Sequence, residues 1–173
     1  LSLRIRPRAG LFEAALAAVP LLACGHAVVT RSVMAGPAFG IELLWYPPVF
    51  LTLVEKITEI RFAHPKDVQD GLVPVTDEDI IVNLPFVKGC GMWFDHHVSE
   101  DHKLAEIGEF KGRFALAPSA ARVISDYYKS PDFEAYKILL EATDRLDSAN
   151  LTVDEVANPA GWILLGYTID PRT

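Results

Sequence analysis

The sequence predicts an α/β domain with a mostly parallel sheet and helices on both faces. Three observations carry this: short apolar runs rich in β-branched residues, helical periodicity between and after them, and turn residues at their ends. Runs that are apolar on both sides of the strand, without strict polar alternation, fit strands buried under helices.

The elements follow in order. Residues 26–30 (HAVVT) read as a short buried strand ending in polar Arg31 and Ser32. Residues 57–63 alternate Ile57, Glu59 and Arg61 against Thr58, Ile60 and Phe62, the period of a strand. Residues 79–84 (DIIVNL) form another, stopped by Pro85, and residues 91–94 (GMWF) a fourth, leading into Asp95-His96-His97. Between 119 and 128, Ala120, Val123, Ile124 and Tyr127 recur at helical spacing, with Pro118 suited to a first turn. Ser130-Pro131-Asp132 opens a second helix that runs through Phe133, Tyr136 and Leu140 toward Asp144. A third is expected over 160–166.

Composition narrows the function. The chain has 173 residues, half of them hydrophobic, enough for one well-buried core. A net charge of −7 argues against a duplex nucleic-acid binder, which needs a dense basic face, but not against a cation site. Cys24 and Cys90 are the only cysteines, too few for a disulfide framework, and point to reduced thiols in the cytoplasm. Arg4, Arg6 and Arg8 before the apolar stretch 11–29 resemble an export signal, and residues 21–24 (LLAC) a lipoprotein box. Glu13, Pro20 and His26 interrupt that stretch, so a cytoplasmic domain without membrane attachment is the expectation. Composition also changes near residue 54, dividing an apolar, proline-broken segment 1–53 from a domain over 54–173.

In a parallel sheet, ligands bind beyond the C-terminal ends of the strands, where Asn83 and Asp95-His96-His97 are expected. A carboxylate beside two imidazoles suits a divalent cation. If the strand geometry continues, adjacent side chains point to opposite sides, so one histidine serves the metal and the other a phosphate. The plainer reading of the tripeptide is a solvated loop. For Asp144 and Asp147 it is a helix end with an Asx-type turn, and for Asn83 a turn residue before Pro85. A zinc site from Cys90, His97 and His102 lacks a fourth ligand at fitting spacing. Trp45, Trp93 and Trp162 read as core.

Residues 64–71 (HPKDVQDG), 79–85 (DIIVNLP), 93–100 (WFDHHVSE), 117–122 (APSAAR), 144–152 (DRLDSANLT) and 166–172 (GYTIDPR) together resemble the DHH phosphoesterases, in the branch labelled exopolyphosphatase-like. The similarity spans about residues 54–173. It implies a Rossmann-like DHH domain without the family's smaller C-terminal domain; a homodimer is a separate expectation. It also implies a divalent-metal centre, Mn²⁺ before Mg²⁺, hydrolysing phosphoanhydride or phosphodiester bonds of a small phosphorylated substrate. By motif, His97 and His96 are metal ligands, and His96 and Asp95 the catalytic pair. Asp147 is the later metal-binding aspartate with Asp144 its fallback, and Asn83 stands where many relatives carry a bridging aspartate. Arg122 and Lys66 are the candidate phosphate contacts. The chain departs from the pattern where the first strand should lead into Asp-x-Asp-Gly, because Val33 and Ala35 occupy those positions. Pro47-Pro48 is expected to break the following helix. The competing expectation is therefore a non-catalytic form of the fold holding metal weakly.

Overall fold

The computed structural model describes residues 32–35, as backbone, and 46–168. The strand expected at 26–30 and the segment containing Cys24 lie outside the described residues.

Strand β1 (Ser32–Ala35), helix α1 (Tyr46–Thr52), strand β2 (Glu59–Phe62), helix α2 (Pro65–Gln69), and strands β3 (Asp79–Val82) and β4 (Met92–Asp95) form the first half. Short helices α3 (Val98–Asp101) and α4 (Leu104–Ile107) lead to strand β5 (Gly112–Phe114). Helix α5 (Ala120–Tyr128), a 3-10 turn (Pro131–Tyr136), and helices α6 (Lys137–Asp147), α7 (Val153–Ala157) and α8 (Gly161–Thr168) complete it. The sheet order is β1-β3-β4-β5, every pair parallel. Strand β2 lies beside β1.

The pleat sorts the core into two layers. Ile80, Val82, Met92 and Phe94 face one side, packed with Phe50 of α1, Ile124 of α5 and Leu140 of α6. Ile81 and Trp93 face the other, packed with Ala63, Val68 and Leu84. The expected architecture, a parallel sheet flanked by helices, is the one observed.

Several elements differ from expectation for identifiable reasons. Val33 and Ala35, expected beyond the first strand, are inside it and pair with Ile80 and Val82 of β3. The parallel ladder continues through both positions. Pro47-Pro48 does not break a helix: both sit in the first turn of α1, where the missing N–H groups have no helical partner to lose. That helix inserts Phe50 and Leu51, both fully buried, into the main core, with Phe50 edge-on to Phe133 at 5.3 Å. Pro118 precedes α5 rather than opening it, since the cap is Ser119, whose hydroxyl accepts from the Arg122 N–H. The helix expected from Ser130 is capped there as predicted but begins as the 3-10 turn before becoming α6. The third expected helix runs Gly161–Thr168.

Beneath the site, Trp93 fixes the sheet. It is fully buried, donates its indole N–H to the Leu84 carbonyl at 2.9 Å and stacks on Phe114. Gly112 answers it with a φ of 111°, and a Cβ there would lie 2.1 Å from the Trp93 carbonyl oxygen. Among the described residues, no helix is long and apolar enough to cross a membrane.

Candidate metal and phosphate site

The site is built where β3 and β4 end. The Asn83 N–H extends the ladder by donating to the Phe94 carbonyl at 3.0 Å, but its φ of 57° then turns the chain out of the sheet. Asparagine tolerates this left-handed conformation, so the same residue ends the strand and leaves a buried carboxamide in the crevice. On β4, Asp95 is the last strand residue and is 1 % exposed.

Asp95 organises the tripeptide. Its Oδ1 accepts the backbone N–H of His96 at 2.9 Å and Nδ1–H of His97 at 2.7 Å. With that proton on Nδ1, the lone pair of His97 is on Nε2. A carboxylate holding one imidazole nitrogen so that the other can bind a metal is a common arrangement in metalloproteins. The other Asp95 oxygen, Oδ2, is buried and has no hydrogen-bond partner among the described residues. A buried carboxylate oxygen without a donor costs on the order of 1–3 kcal/mol or more, which an arriving cation would relieve.

The two histidine rings do not point to opposite sides. Their centroids are 4.5 Å apart, because the chain leaves β4 at Asp95 and His97 caps α3. Asp95, His96 and His97 each offer a ligand atom, all within 4.8 Å of one another. Their donor chemistry, one carboxylate and two imidazoles, fits a divalent cation of the Mn²⁺ or Zn²⁺ type.

His96 is, however, already held. Its Nδ1 donates to the Ala117 carbonyl at 3.0 Å, while Nε2 lies 3.1 Å from Asp147 Oδ2 and 3.1 Å from Asn83 Oδ1. Burial pulls its pKa down, but the Asp147 hydrogen bond and charge, the Ala117 carbonyl and the Asp95 charge outweigh it and leave the pKa above the ordinary value. Its neighbours thus favour the imidazolium.

The structure therefore gathers Asn83, Asp95, His96, His97 and Asp147. It spends the remaining candidates elsewhere. Asp144 accepts Ser119 Oγ at 2.7 Å and Arg122 Nε at 2.8 Å, bracing α5 against α6, so Asp144 and Arg122 occupy each other. Lys66 pairs with Asp70 one helical turn away, on exposed α2. The cavity of about 240 Å³ beside Asp95, His97 and Asn83 is bordered instead by Gln69, Ser99 and Lys103. Sequence reasoning passed over these. Only the Glu100–Lys103 spacing, three residues apart just after the tripeptide, signalled a helical pair there.

The parallel α/β sheet with a buried Asp-His-His cluster beyond its strands agrees with the DHH-like scaffold expected from the sequence resemblance. Among solved structures, the chain is similar to the pGpG-specific phosphodiesterase PggH of Vibrio cholerae, with a TM-score of 0.62 and 38 % sequence identity. The match covers 81 % of this chain and 45 % of that one, so the chain spans less than half of that protein's length. No protein-family model and no curated protein matches the chain. The similarity supports a DHH-like phosphoesterase scaffold and does not select the exopolyphosphatase-like branch.

Proposed function

We propose that the chain is the DHH-type domain, over residues 54–173, of a metal-dependent phosphodiesterase acting on short phosphorylated nucleotides. Residues 1–53 contribute its first strand. The observation that carries this reading is the bare, buried Oδ2 of Asp95 beside His97 in a cavity at the sheet's C-terminal edge. The likeness to a pGpG phosphodiesterase supports a nucleotide substrate over polyphosphate.

In this reading Asp95 and His97 hold the divalent ion, Mn²⁺ before Mg²⁺. A divalent ion there supplies acidified water and neutralises charge on the phosphoryl oxygens. Asp95 keeps the His97 proton on Nδ1 and so keeps Nε2 basic. His96 has both ring nitrogens engaged within the chain. Oriented by Asp147 and Ala117, its ring holds a fixed position beside the metal-binding edge.

Calorimetry with Mn²⁺ tests the reading, with His97→Ala and Asp95→Asn as controls, followed by turnover of pGpG against short polyphosphate. Expected are metal binding that both substitutions abolish and turnover of pGpG alone. A folded chain that binds no Mn²⁺ at millimolar concentration would instead favour the non-catalytic form. One observation favours that second reading: among the described residues near Asp95, Asn83 is neutral where a further carboxylate would strengthen a cation site.

A further inference from the structure

A phosphorylated substrate needs a positive partner besides the metal, and the two basic residues singled out by motif, Lys66 and Arg122, do not border the cavity. We infer that Lys103 is the substrate-phosphate contact and that the cavity beside Asp95 and His97 is its anion subsite. This rests on the phosphodiesterase reading above and adds a residue and a ligand class to it.

Among the described residues bordering the cavity, Lys103 is the only lysine or arginine. It is placed there by a specific contact. Glu100 on α3 is 4 % exposed, and its Oε1 accepts from Lys103 Nζ at 2.6 Å. The Lys103 N–H also donates to the Glu100 carbonyl at 2.9 Å, fixing the turn between α3 and α4. An exposed lysine ion pair is ordinarily worth little, since both groups remain hydrated. Here the carboxylate is buried while the lysine side chain is 48 % exposed, so the buried partner holds the ammonium at the cavity's border. Lysine retains three donors on a flexible stem and meets phosphate without giving up Glu100.

The cavity's size and chemistry agree. About 240 Å³ is below the roughly 300–1,000 Å³ of pockets that enclose a drug-sized ligand, so it takes one phosphate with part of its sugar or base. Gln69 and Ser99 add neutral hydrogen-bonding groups, and Pro65 and Pro85 supply apolar faces. Asp95 and Glu100 alone would repel a phosphate. A divalent ion at Asp95 together with Lys103 reverses that sign. The ligand class is a nucleotide bearing a terminal or bridging phosphate.

The test measures equilibrium binding of guanosine 5′-monophosphate and of unphosphorylated guanosine to the Mn²⁺-saturated chain, compared with Lys103→Met, Lys103→Arg, Lys66→Met and His97→Ala. Circular dichroism confirms the fold of each, and calorimetry gives Mn²⁺ affinity. Lys103→Met should weaken the monophosphate tenfold or more, leave Mn²⁺ and guanosine binding unchanged, and be largely rescued in Lys103→Arg. Lys66→Met should change nothing. If Lys103→Met binds the monophosphate like wild type while His97→Ala does not, the role of Lys103 is overturned and the phosphodiesterase reading stands. An equal loss in Lys66→Met would also overturn it, because general charge would then explain the effect. If the wild-type chain binds Mn²⁺ but neither the monophosphate nor pGpG, both fall together.

Discussion

Two aspartates stand in neighbouring central strands of this sheet, each almost completely buried, and they are treated in opposite ways. Asp79 opens β3 at the sheet's N-terminal edge. Its Oδ1 accepts from Arg61 at 3.1 Å and its Oδ2 from the Thr76 N–H and hydroxyl at 2.6 and 3.0 Å. Asp95 closes β4 at the opposite edge, with Oδ1 doubly bonded and Oδ2 bare. At the first edge the chain supplies the compensation for burying a carboxylate, and at the second the described residues leave one oxygen uncompensated. Even the first is incomplete in detail, since Arg61 Nε is buried without a partner among the described residues. The same residue type is thus structural at one end of the sheet and points to a ligand at the other.

This contrast can be broken experimentally. The largest expected effect is at Asp79: Asp79→Ala leaves Arg61 without its buried partner and should cost about 3–5 kcal/mol in urea unfolding, with or without metal. Asp95→Asn should behave otherwise. Its own stability should change by no more than about 1 kcal/mol. Wild type, at a hundredfold excess of Mn²⁺ over its Kd, should gain about 2.7 kcal/mol that the variant does not. A Mn²⁺-dependent shift in melting temperature that survives Asp95→Asn would remove the distinction between the two edges.

Three smaller effects sharpen it. Asn83→Asp adds a carboxylate in a left-handed conformation that aspartate also tolerates, and should raise Mn²⁺ affinity about tenfold by calorimetry. His96 gives the metal-free chain a pH dependence with a definite sign. Because its folded pKa is raised, its stabilising contribution is complete below the ordinary imidazole value and disappears as pH climbs through the higher folded value. Urea midpoints across that window should fall with rising pH in wild type and flatten in Asp147→Asn. The smallest effect concerns Cys90, whose thiol is pushed up to about 11 by burial, eased by the Val87 backbone contact and raised again by the Asp79 charge. Its alkylation at pH 8, followed by peptide mass spectrometry, should be slower than that of free cysteine. Stability should also decline once pH passes the ordinary thiol value, as the unfolded chain ionises first.

Much of this was legible beforehand where a pattern repeats. The parallel sheet, the runs that became β3 and β4, and the helix over Ala120–Tyr128 follow from apolar periodicity, a signal summed over several residues. Elements as short as β5, α3 and α4 carry too few residues for such a sum. Helix α1 was lost because two prolines read as breakers unless their place in the first turn is known. Within the site, the tripeptide and Asp147 were visible by motif. The pairing of Arg122 with Asp144 and the seating of Lys103 were not, because both depend on how helices distant in sequence from one another, or from the strands, are packed. The expectation that His96 and His97 diverge failed for a local reason: it extended strand geometry one residue past the point where β4 stops.

Of the groups that hold His96, Asp95 is adjacent in the chain, but Asn83, Ala117 and Asp147 are not. Contacts between segments far apart in sequence require a long loop to close, at a cost in chain entropy. Full orientation of the inner imidazole therefore depends on the docking of α6. Since Asp147 is the last residue of α6, a chain still emerging during synthesis carries the tripeptide long before it can orient it. The orientation of the tripeptide is thereby tied to the arrival of a helix that lies well beyond it in the chain.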